Sequence, residues 1–274
     1  MKEMTVLEVQ QISMDILKDI HEFCLANGIK YTLQGGTLLG AVRHKGFIPW
    51  DNDIDIAMPR PDYDRFIRIY KSSKGYEVMS RELPNSDDVF IAYARVCDMR
   101  NTYVDDSAFC WTKRKKGVWI DLFPLDGTED SFSDAEKRIG EMTKVWRRGT
   151  RLRWASAPLR SFKTISKKIK RIIKIPWIAL SNYNCVDQHI EMCRAIKWED
   201  ATYYSNLAYL GYGIRERHHK RVLDEVITVP FEDMEVCIMK GYDEALKEKY
   251  GDYMELPPVE KRVTAHQFNR YFWL

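Results

Sequence analysis

The part of this sequence best suited to chemistry is a set of three acidic residues at alternate positions: Asp51, Asp53 and Asp55, in the stretch PWDNDIDIAMPR. Successive side chains of a strand point to opposite faces, so Asp53 and Asp55 would share one face. Ile54 and Ile56 would then point towards a core. Like charges this close repel unless a cation lies between them, and Mg²⁺ favours carboxylate oxygens. The pattern therefore predicts a divalent-cation site at the start of a strand.

The acidic stretch has two other interpretations, an exposed acidic turn before an edge strand and the calcium loop of a helix–loop–helix motif. The calcium loop requires Gly at its sixth position and Glu at its twelfth. Counted from Asp51, those positions hold Ile56 and Asp62, which excludes the calcium loop. The exposed turn stays open for the stretch taken alone.

A double glycine just upstream supplies a second feature. Gly35 and Gly36 end a short predicted strand, and Thr37 is placed to cap a helix that runs through Arg43. A helix N-terminus offers backbone N–H groups and a favourable dipole to an anion such as phosphate, and glycine permits close approach. Arg43 and Lys45 add cations that can hold phosphate oxygens. An ordinary strand-ending turn is the alternative for the glycines.

A third acid, Asp121, lies in the stretch GVWIDLFPLDG. Its neighbours Ile120 and Leu122 place it on a predicted strand, where an unpaired buried carboxylate would be costly. A buried salt bridge or a turn-capping role is the alternative for this residue. The double glycine, the paired acids and the third acid occur together in one chain, which favours one common site.

The elements that must position these residues alternate between strands and helices. Strands are predicted over IKYTL, DIDIAM, VFIAYARVCDM, GVWIDLFPLDG and MEVCIM. Helices are predicted from about Thr5 to Asn27, from Thr37 to Arg43, after Pro61, and over 133–153, 161–174, 185–196 and GYDEALKEKYG. We therefore expect an α/β (α+β) fold, with a small mixed sheet flanked by helices and helical additions in the C-terminal half. Residues 1–130 would form the catalytic core and 131–274 a mostly helical extension that completes the site, or the two would form one continuous domain.

The composition is that of a soluble globular protein with a sizeable core. The 274 residues are 45% hydrophobic and 30% charged. None of the six cysteines forms a C-x-x-C pair, which argues against a zinc ribbon or a redox dithiol. The N-terminal residues lack the apolar region of a signal peptide, and no apolar run approaches the length of a membrane span. These observations predict a cytoplasmic protein.

The combined motifs resemble the nucleotidyltransferase superfamily and, more narrowly, the LicD family of phosphocholine and related phospho-alcohol transferases. The resemblance is carried by GGTLLGAVRHKGFIPWDNDIDIAMPR, WIDLFPLDG and YGDYMELPPVEKRVTAHQF. It is dense from Tyr31 to Arg60 and returns at 117–127 and 249–268. The family often has D-D-D-I-D, and this chain departs from that pattern at Asn52. At period two, Asn52 would face away from the paired acids.

The resemblance implies a CDP-alcohol donor, typically CDP-choline, and a metal cofactor, Mg²⁺ (or Mn²⁺). The phospho-alcohol would pass to a hydroxyl of a cell-surface glycan, lipopolysaccharide or teichoic acid precursor, carried free or on a lipid. Asp53, Asp55 and Asp121 would hold the metal as catalytic residues, and Asp121 could also accept the proton of the attacking hydroxyl. The implied donor-binding residues are Gln34, Gly35, Gly36, Thr37, Arg43, Lys45, Trp50 and His266. A packed surface residue is the alternative for His266.

The transferred alcohol stays open among choline, ethanolamine, glycerol and ribitol. Aromatic faces recognise quaternary ammonium groups, and several aromatic residues lie in or near the motifs: Trp50, Tyr93, Tyr103, Trp111 and Trp119. Core packing is the alternative for most of these. Two other functions also remain open: transfer of a nucleoside monophosphate from an NTP, which the same acids could serve, and a non-enzymatic basic module that binds membrane or nucleic acid.

A basic segment sets the charge distribution of the chain. Between Met142 and Val186 there are twelve Lys and Arg residues and no Asp or Glu, while the whole chain carries +3, so the remainder is net negative. Within this segment, 161–177 has its Lys and Arg residues on the other faces of a helix, and one face carries Phe162, Ile165, Ile169, Ile172 and Ile173. We expect an interfacial helix on the anionic inner face of the plasma membrane, with a core helix as the alternative. Nucleic acid is not expected as a partner, because the segment lacks a base-reading pattern.

We expect 161–177 to bind anionic lipid vesicles in a salt-sensitive manner, since each Lys or Arg near such a surface contributes about 1 kcal/mol. Changing Lys167, Lys168, Lys170 and Arg171 to Gln should weaken this binding, and neutral vesicles should bind neither protein. Vesicle co-sedimentation at low and high salt measures the difference. Equal partitioning of both proteins onto anionic vesicles would assign the segment to the fold instead.

Overall fold

The structure is a computed structural model of the chain, and it describes residues 1–105, 111–112, 114–156, 185–262 and 269–274, with the backbone alone over 151–156. The predicted interfacial helix over 161–177 and the predicted donor-binding residue His266 lie outside the described residues. None of the helices within these ranges is long and apolar enough to cross a membrane.

The described elements form a mixed α/β fold. The helices are α1 (Val6–Asn27), α2 (Gly35–His44), α3 (Arg60–Ile69), α4 (Phe132–Ser156), α5 (Cys185–Cys193), α6 (Arg221–Asp224) and α7 (Tyr242–Tyr250). The strands are β1 (Thr32–Leu33), β2 (Asp55–Pro59), β3 (Tyr76–Met79), β4 (Ala94–Asp98), β5 (Thr102–Asp105), β6 (Trp119–Thr128), β7 (Tyr203–Ser205), β8 (His218–His219), β9 (Val226–Phe231), β10 (Met234–Met239) and β11 (Arg270–Trp273). The predicted fold class is confirmed.

The central sheet has the order β1-β2-β6-β4-β3, and β7 extends it by pairing with the end of β6. β2 and β6 run parallel, whereas the other pairs are antiparallel. All ten residues of β6 are buried, as expected for a strand in the middle of a sheet. The pairing places Asp55 of β2 and Arg95 of β4 directly opposite Asp121 of β6, one on each side. The sheet thus brings three charged residues from distant parts of the chain into one row.

Helix α1 follows the sequence prediction closely. The Thr5 side chain accepts a hydrogen bond from the Glu8 N–H, and the Glu8 carboxylate accepts one from the Thr5 N–H, which completes a capping box. Its buried face includes Ile16, Leu17 and Ile20. Gly28 ends the helix in the left-handed region, as the sequence predicts.

Several predicted boundaries were wrong. The strands predicted from Ile29 and from Asp53 begin at Thr32 and at Asp55, so Asp53 precedes β2. Helix α2 begins at Gly35 rather than after Thr37, because the positive φ of 60° at Gly35 turns the chain two residues earlier. Thr37 therefore lies inside the helix, where its hydroxyl accepts a hydrogen bond from the Asp55 N–H at 2.9 Å. The strand predicted over VFIAYARVCDM begins only at Ala94, and upstream Val89 makes an isolated bridge to Thr112.

The second half of the chain contains strands as well as helices. β7 joins β6, so strands from both sides of residue 130 share one sheet. β9 and β10 form a separate antiparallel hairpin beside β1, where the Met239 N–H donates to Thr32 Oγ1 at 2.8 Å. The division into a core and an extension remains a prediction.

A buried ion pair ties α3 to β6. Arg60 donates to both carboxylate oxygens of Asp126, at 2.6 and 2.7 Å, and its Nη1 atom lies 3.1 Å from Glu82 Oε1. The side chains of Arg60 and Asp126 are 8% and 1% exposed. Removal of one partner from a buried pair leaves the other charge uncompensated, which costs far more than the net contribution of the intact pair.

Replacement of Asp126 by Ala should therefore lower the free energy of unfolding by about 3–5 kcal/mol, measured by urea denaturation. The matched control is Glu244→Ala, which removes an exposed pair with Arg221 and should cost at most about 1 kcal/mol. Similar losses in the two variants would contradict the importance of the buried pair.

Candidate active site

A cleft of about 800 Å³, including its open mouth, lies where β2, β4 and β6 meet the N-terminus of α2 and the end of α7. Its walls contain the predicted metal ligands and residues that were not predicted. The charged residues that line the cleft are Asp51, Asp53, Asp55, Arg95, Asp121, Glu216 and Lys249.

Asp55 lies near the other aspartates of the cleft. Burial raises its pKa well above the ordinary aspartate value, and the nearby charges of Asp53, Asp121 and Asp51 raise it further, whereas Lys249 lowers it. Two bonds fix the backbone here: Asp55 donates to Thr37 Oγ1, and its carbonyl accepts the Gln34 N–H at 2.9 Å. The fold therefore holds the Asp55 carboxylate in a place that disfavours its negative charge. A nearby cation would stabilise the ionised form.

Asp121 is held by an arginine that no sequence motif predicted. Arg95 Nε donates to Asp121 Oδ1 at 2.5 Å, and Nη2 donates to Oδ2 at 3.3 Å. The guanidinium carbon lies 4.3 Å from the ring centre of Trp119 and 4.6 Å from that of Trp111. Burial alone would lower the pKa of Arg95, but Asp121 and Tyr93 raise it above its usual value. The buried salt bridge that was an alternative for Asp121 is present, and the carboxylate also lines the cleft.

The double glycine lets α2 approach the acids closely. A Cβ atom at Gly35 would lie 3.1 Å from Asp55 Oδ2, and one at Gly36 would lie 2.8 Å from Asp51 Oδ2. Any larger residue at Gly36 would displace the Asp51 carboxylate. Gln34, Gly35 and Gly36 all line the cleft, and the close approach seen here is to carboxylates. Close approach of these glycines to a phosphate stays a prediction.

Lys249 of α7 brings a further cation that was not predicted as a site residue. Its ammonium lies 2.5 Å from Glu216 Oε1, and Gln34 Nε2 donates to the same oxygen at 3.1 Å. The Lys249 Nζ atom also lies 3.8 Å from the position of a Cβ atom at Gly35. A cation therefore stands beside the Asp55 carboxylate at the N-terminus of α2. Its sequence signal was its place directly before Tyr250, the first residue of the quoted motif YGDYMELPPVEKRVTAHQF.

Four other predicted donor-binding residues are not among the described residues that line the cleft. Thr37 bonds the backbone of β2, as described above. Arg43, near the far end of α2, donates to the carbonyl oxygens of Tyr253 at 2.7 Å and Glu255 at 3.3 Å. Lys45 forms the C-terminal cap of α2. The guanidinium carbon of Arg262 lies 5.6 Å from the ring centre of Trp50. Roles for these four side chains in donor binding remain predictions.

The acids suit a hard cation, although the cleft is not a complete metal cage. Over the described ranges, no three His, Cys, Asp or Glu side chains are arranged to hold a metal ion. Mg²⁺ is usually held by one or two carboxylates together with water and substrate phosphates, rather than by an all-protein cage. Asp53 and Asp55 line the cleft and would supply such oxygens, and the pKa of Asp55 is raised first by burial and then by the neighbouring acids. The donor set therefore fits a cation that arrives with a phosphate-bearing substrate.

Comparison with known proteins places this cleft in a family. Residues 28–146 match the LicD/FKTN/FKRP nucleotidyltransferase domain. The chain is also 32% identical over 274 residues, 97% of each chain, to the lipopolysaccharide cholinephosphotransferase LicD of Haemophilus influenzae. The protein belongs to the LicD family. The ribitol 5-phosphate transferases FKRP of Mus musculus and Homo sapiens are each 54% identical over 124 residues, 43% of this chain and 19% of theirs.

Membership of the LicD family confirms the resemblance seen in the motifs and identifies the protein as a transferase. The matched domain contains Asp53, Asp55, Arg95 and Asp121. Glu216 and Lys249 lie beyond it, in a part of the chain that the alignment with LicD, which spans 97% of the chain, covers. The cleft of this LicD-family protein therefore joins residues of the family domain to residues of the C-terminal half.

The raised pKa of Asp55 predicts a pH-dependent cost to stability in the absence of divalent cations. A carboxylate with a raised folded-state pKa favours folding below the unfolded value, near pH 4, and this contribution is lost as the pH rises through the folded value. Asp55→Asn should therefore raise Tm by about 2–4 °C at neutral pH and have little effect near pH 4. Mg²⁺ should raise the Tm of the wild type more than that of the variant.

Thermal unfolding followed by circular dichroism, with and without Mg²⁺, measures these shifts. Asp233→Asn, on an exposed turn, is the matched control and should change neither Tm nor its response to Mg²⁺. A lower Tm for Asp55→Asn at neutral pH would contradict the view that the acids repel one another.

Proposed function

We propose that this LicD-family transferase moves a phospho-alcohol group, most simply phosphocholine, from a CDP-alcohol donor such as CDP-choline to a hydroxyl of a cell-surface glycan or teichoic acid precursor. The supporting observation is the row formed by Asp55, Asp121 and Arg95 at the N-terminus of α2. This row occurs in a chain that aligns end to end with a lipopolysaccharide cholinephosphotransferase.

The proposed reaction is mainly a matter of position and charge. Phosphoryl transfer requires the attacking and leaving oxygens to be held in line while negative charge is neutralised. Asp53 and Asp55, with Asp121 beside them, would hold Mg²⁺ (or Mn²⁺), which neutralises the donor diphosphate and steadies the leaving oxygen. Lys249 and the first backbone N–H groups of α2 would bind phosphate oxygens on the other side.

The attacking hydroxyl must also lose its proton. Asp121 is the carboxylate that the sequence motifs assign to this step. Its two bonds from Arg95 fix the carboxylate in one orientation, and a proton acceptor must be held within hydrogen-bond reach of the hydroxyl. Arg95 would therefore act by positioning Asp121 rather than by contact with the substrate.

The acceptor and its place in the cell complete the proposal. The related transferase of Haemophilus influenzae is named for lipopolysaccharide, which supports a glycan or lipid-linked glycan acceptor here. Such precursors are commonly carried on a membrane lipid, so a peripheral position on the inner face of the plasma membrane, through 161–177, would bring the cleft to its acceptor. No nucleic-acid partner is proposed.

A second candidate is transfer of a nucleoside monophosphate from an NTP. The description of the matched domain as a nucleotidyltransferase domain favours this alternative. The paired acids serve both reactions, because they respond to a metal and a diphosphate and not to which side of it leaves.

Product analysis separates the two reactions. With Mg²⁺ and a glycolipid acceptor fraction, CDP-choline, CDP-ethanolamine, CDP-glycerol or CDP-ribitol should yield CMP and a phosphorylated glycan, whereas CTP should yield no pyrophosphate. Asp53→Ala should lower CMP formation by about 100-fold or more. Asp233→Ala, on an exposed turn, serves as the control for a lost aspartate and should keep full activity. Pyrophosphate release from CTP, or full activity of Asp53→Ala, would overturn the proposal.

A further inference from the structure

One wall of the cleft contains a buried carboxylate oxygen without a hydrogen-bond partner. Glu216 is 2% exposed. Its Oε1 atom accepts hydrogen bonds from Lys249 and Gln34, but no donor within the described ranges reaches Oε2. A buried polar atom left unbonded is costly, and in a cleft it commonly marks a place for a ligand group.

Aromatic rings lie around the Lys249 ammonium that bonds this carboxylate. The Lys249 ammonium lies 3.9 Å from the ring centre of Tyr212 and 5.5 Å from that of Tyr250, and the two rings meet edge to face. Tyr209 lines the same cleft and is 38% exposed. Burial raises the pKa of Tyr209 to about 12, with further contributions from Tyr212 and from the charges of Asp55 and Glu216. The rings and carboxylates together favour a cation over an anion or a neutral polyol.

A positive and a negative charge lie next to each other on this wall of the cleft. Lys249 lies beside Gly35 and Asp55, where the donor phosphate is proposed to bind. Glu216 accepts from the Lys249 ammonium, and its charge contributes to the raised pKa of Tyr209 and of Tyr250. A phosphorylated amino alcohol carries the complementary pair of charges, a negative phosphate and a positive ammonium. The buried Lys249–Glu216 pair is therefore complementary in charge to such a group, with Lys249 matching the phosphate and Glu216 the ammonium.

We propose that Glu216, with the rings of Tyr209, Tyr212 and Tyr250, forms a subsite for the ammonium head of the donor alcohol, and that Lys249 binds the adjacent phosphate. This subsite rests on the proposed function, because it assigns the alcohol of that same donor. When the donor binds, the Lys249–Glu216 contact is exchanged for contacts with the phosphate and the ammonium group. A neutral polyol has no positive charge that can pair with the Glu216 carboxylate, so the subsite selects amino alcohols.

Donor binding by calorimetry in the presence of Mg²⁺ tests the subsite without an acceptor. The measured quantity is the ratio of the Kd of CDP-glycerol to that of CDP-choline, and the wild type should show a ratio of about ten or more. Glu216→Gln should bring the ratio close to one. Because both donors are measured on one preparation, the ratio is independent of the folded fraction, which the binding stoichiometry reports.

A pair of substitutions at Tyr209 tests the aromatic wall separately. Tyr209→Phe keeps the ring face and should keep the preference for CDP-choline, whereas Tyr209→Leu removes the ring and should reduce the ratio about threefold or more. Glu244→Gln makes the same charge change on the exposed side of α7, and it should leave both Kd values unchanged. CDP-ethanolamine, a primary ammonium, should follow CDP-choline in its response to Glu216→Gln.

The outcomes separate the subsite from the proposed function. A wild type that binds CDP-choline and CDP-glycerol equally, or a Glu216→Gln variant that weakens both donors by the same factor, would overturn the subsite and leave a CDP-alcohol transferase. A wild type that binds no CDP-alcohol at all would overturn the proposed function itself. Retention of the choline preference by Tyr209→Leu would remove Tyr209 from the subsite.

Discussion

The crowding of negative charge between two parallel strands is the constraint on which the rest of this structure depends. Asp55 on β2 and Asp121 on β6 are register partners, and the other acids of the period-two motif precede Asp55 directly. Two cations flank the group: Arg95 is the partner of Asp121 on the far side, and Lys249 stands beside Asp55. Their charges moderate the repulsion without removing it, and the pKa of Asp55 stays raised. Binding of a further cation here is part of the proposed function.

The surrounding elements keep the acids in place against this repulsion. Ile54 and Ile56 are fully buried, and β6 is buried along its whole length, so the strands that carry the carboxylates cannot move apart without exposing apolar surface. Gly36 lets the first turn of α2 lie against Asp51. The glycines of the motif therefore serve a close approach between a helix terminus and carboxylates, where both the free N–H groups and the dipole favour negative charge.

Much of the fold and part of the site could be predicted because their signals are local. The alternation around Asp53 and Asp55, the double glycine and the apolar neighbours of Asp121 are all visible within a few residues. Arg95, Glu216 and Lys249 were missed because each acquires its role through a partner distant in sequence, as when Lys249 meets Glu216. Thr37 was misassigned as a cap because the positive φ of Gly35 is not visible in the sequence. The roles proposed for His266 and 161–177 stay predictions.

The two halves of the cleft come from different parts of the chain, and this division bears on how the family varies. The residues that would bind the metal lie within the matched domain at 28–146, whereas Lys249, which would bind phosphate, and the subsite residues Tyr209 and Glu216 follow it. Relatives are named for phosphocholine, which is cationic at one end, and for ribitol 5-phosphate, which has a neutral polyol. A diphosphate site common to both reactions needs the same acids whichever alcohol is carried. Discrimination between alcohols would then depend on the wall of the cleft that the C-terminal half contributes. A few residues there would determine whether a positively charged alcohol binds.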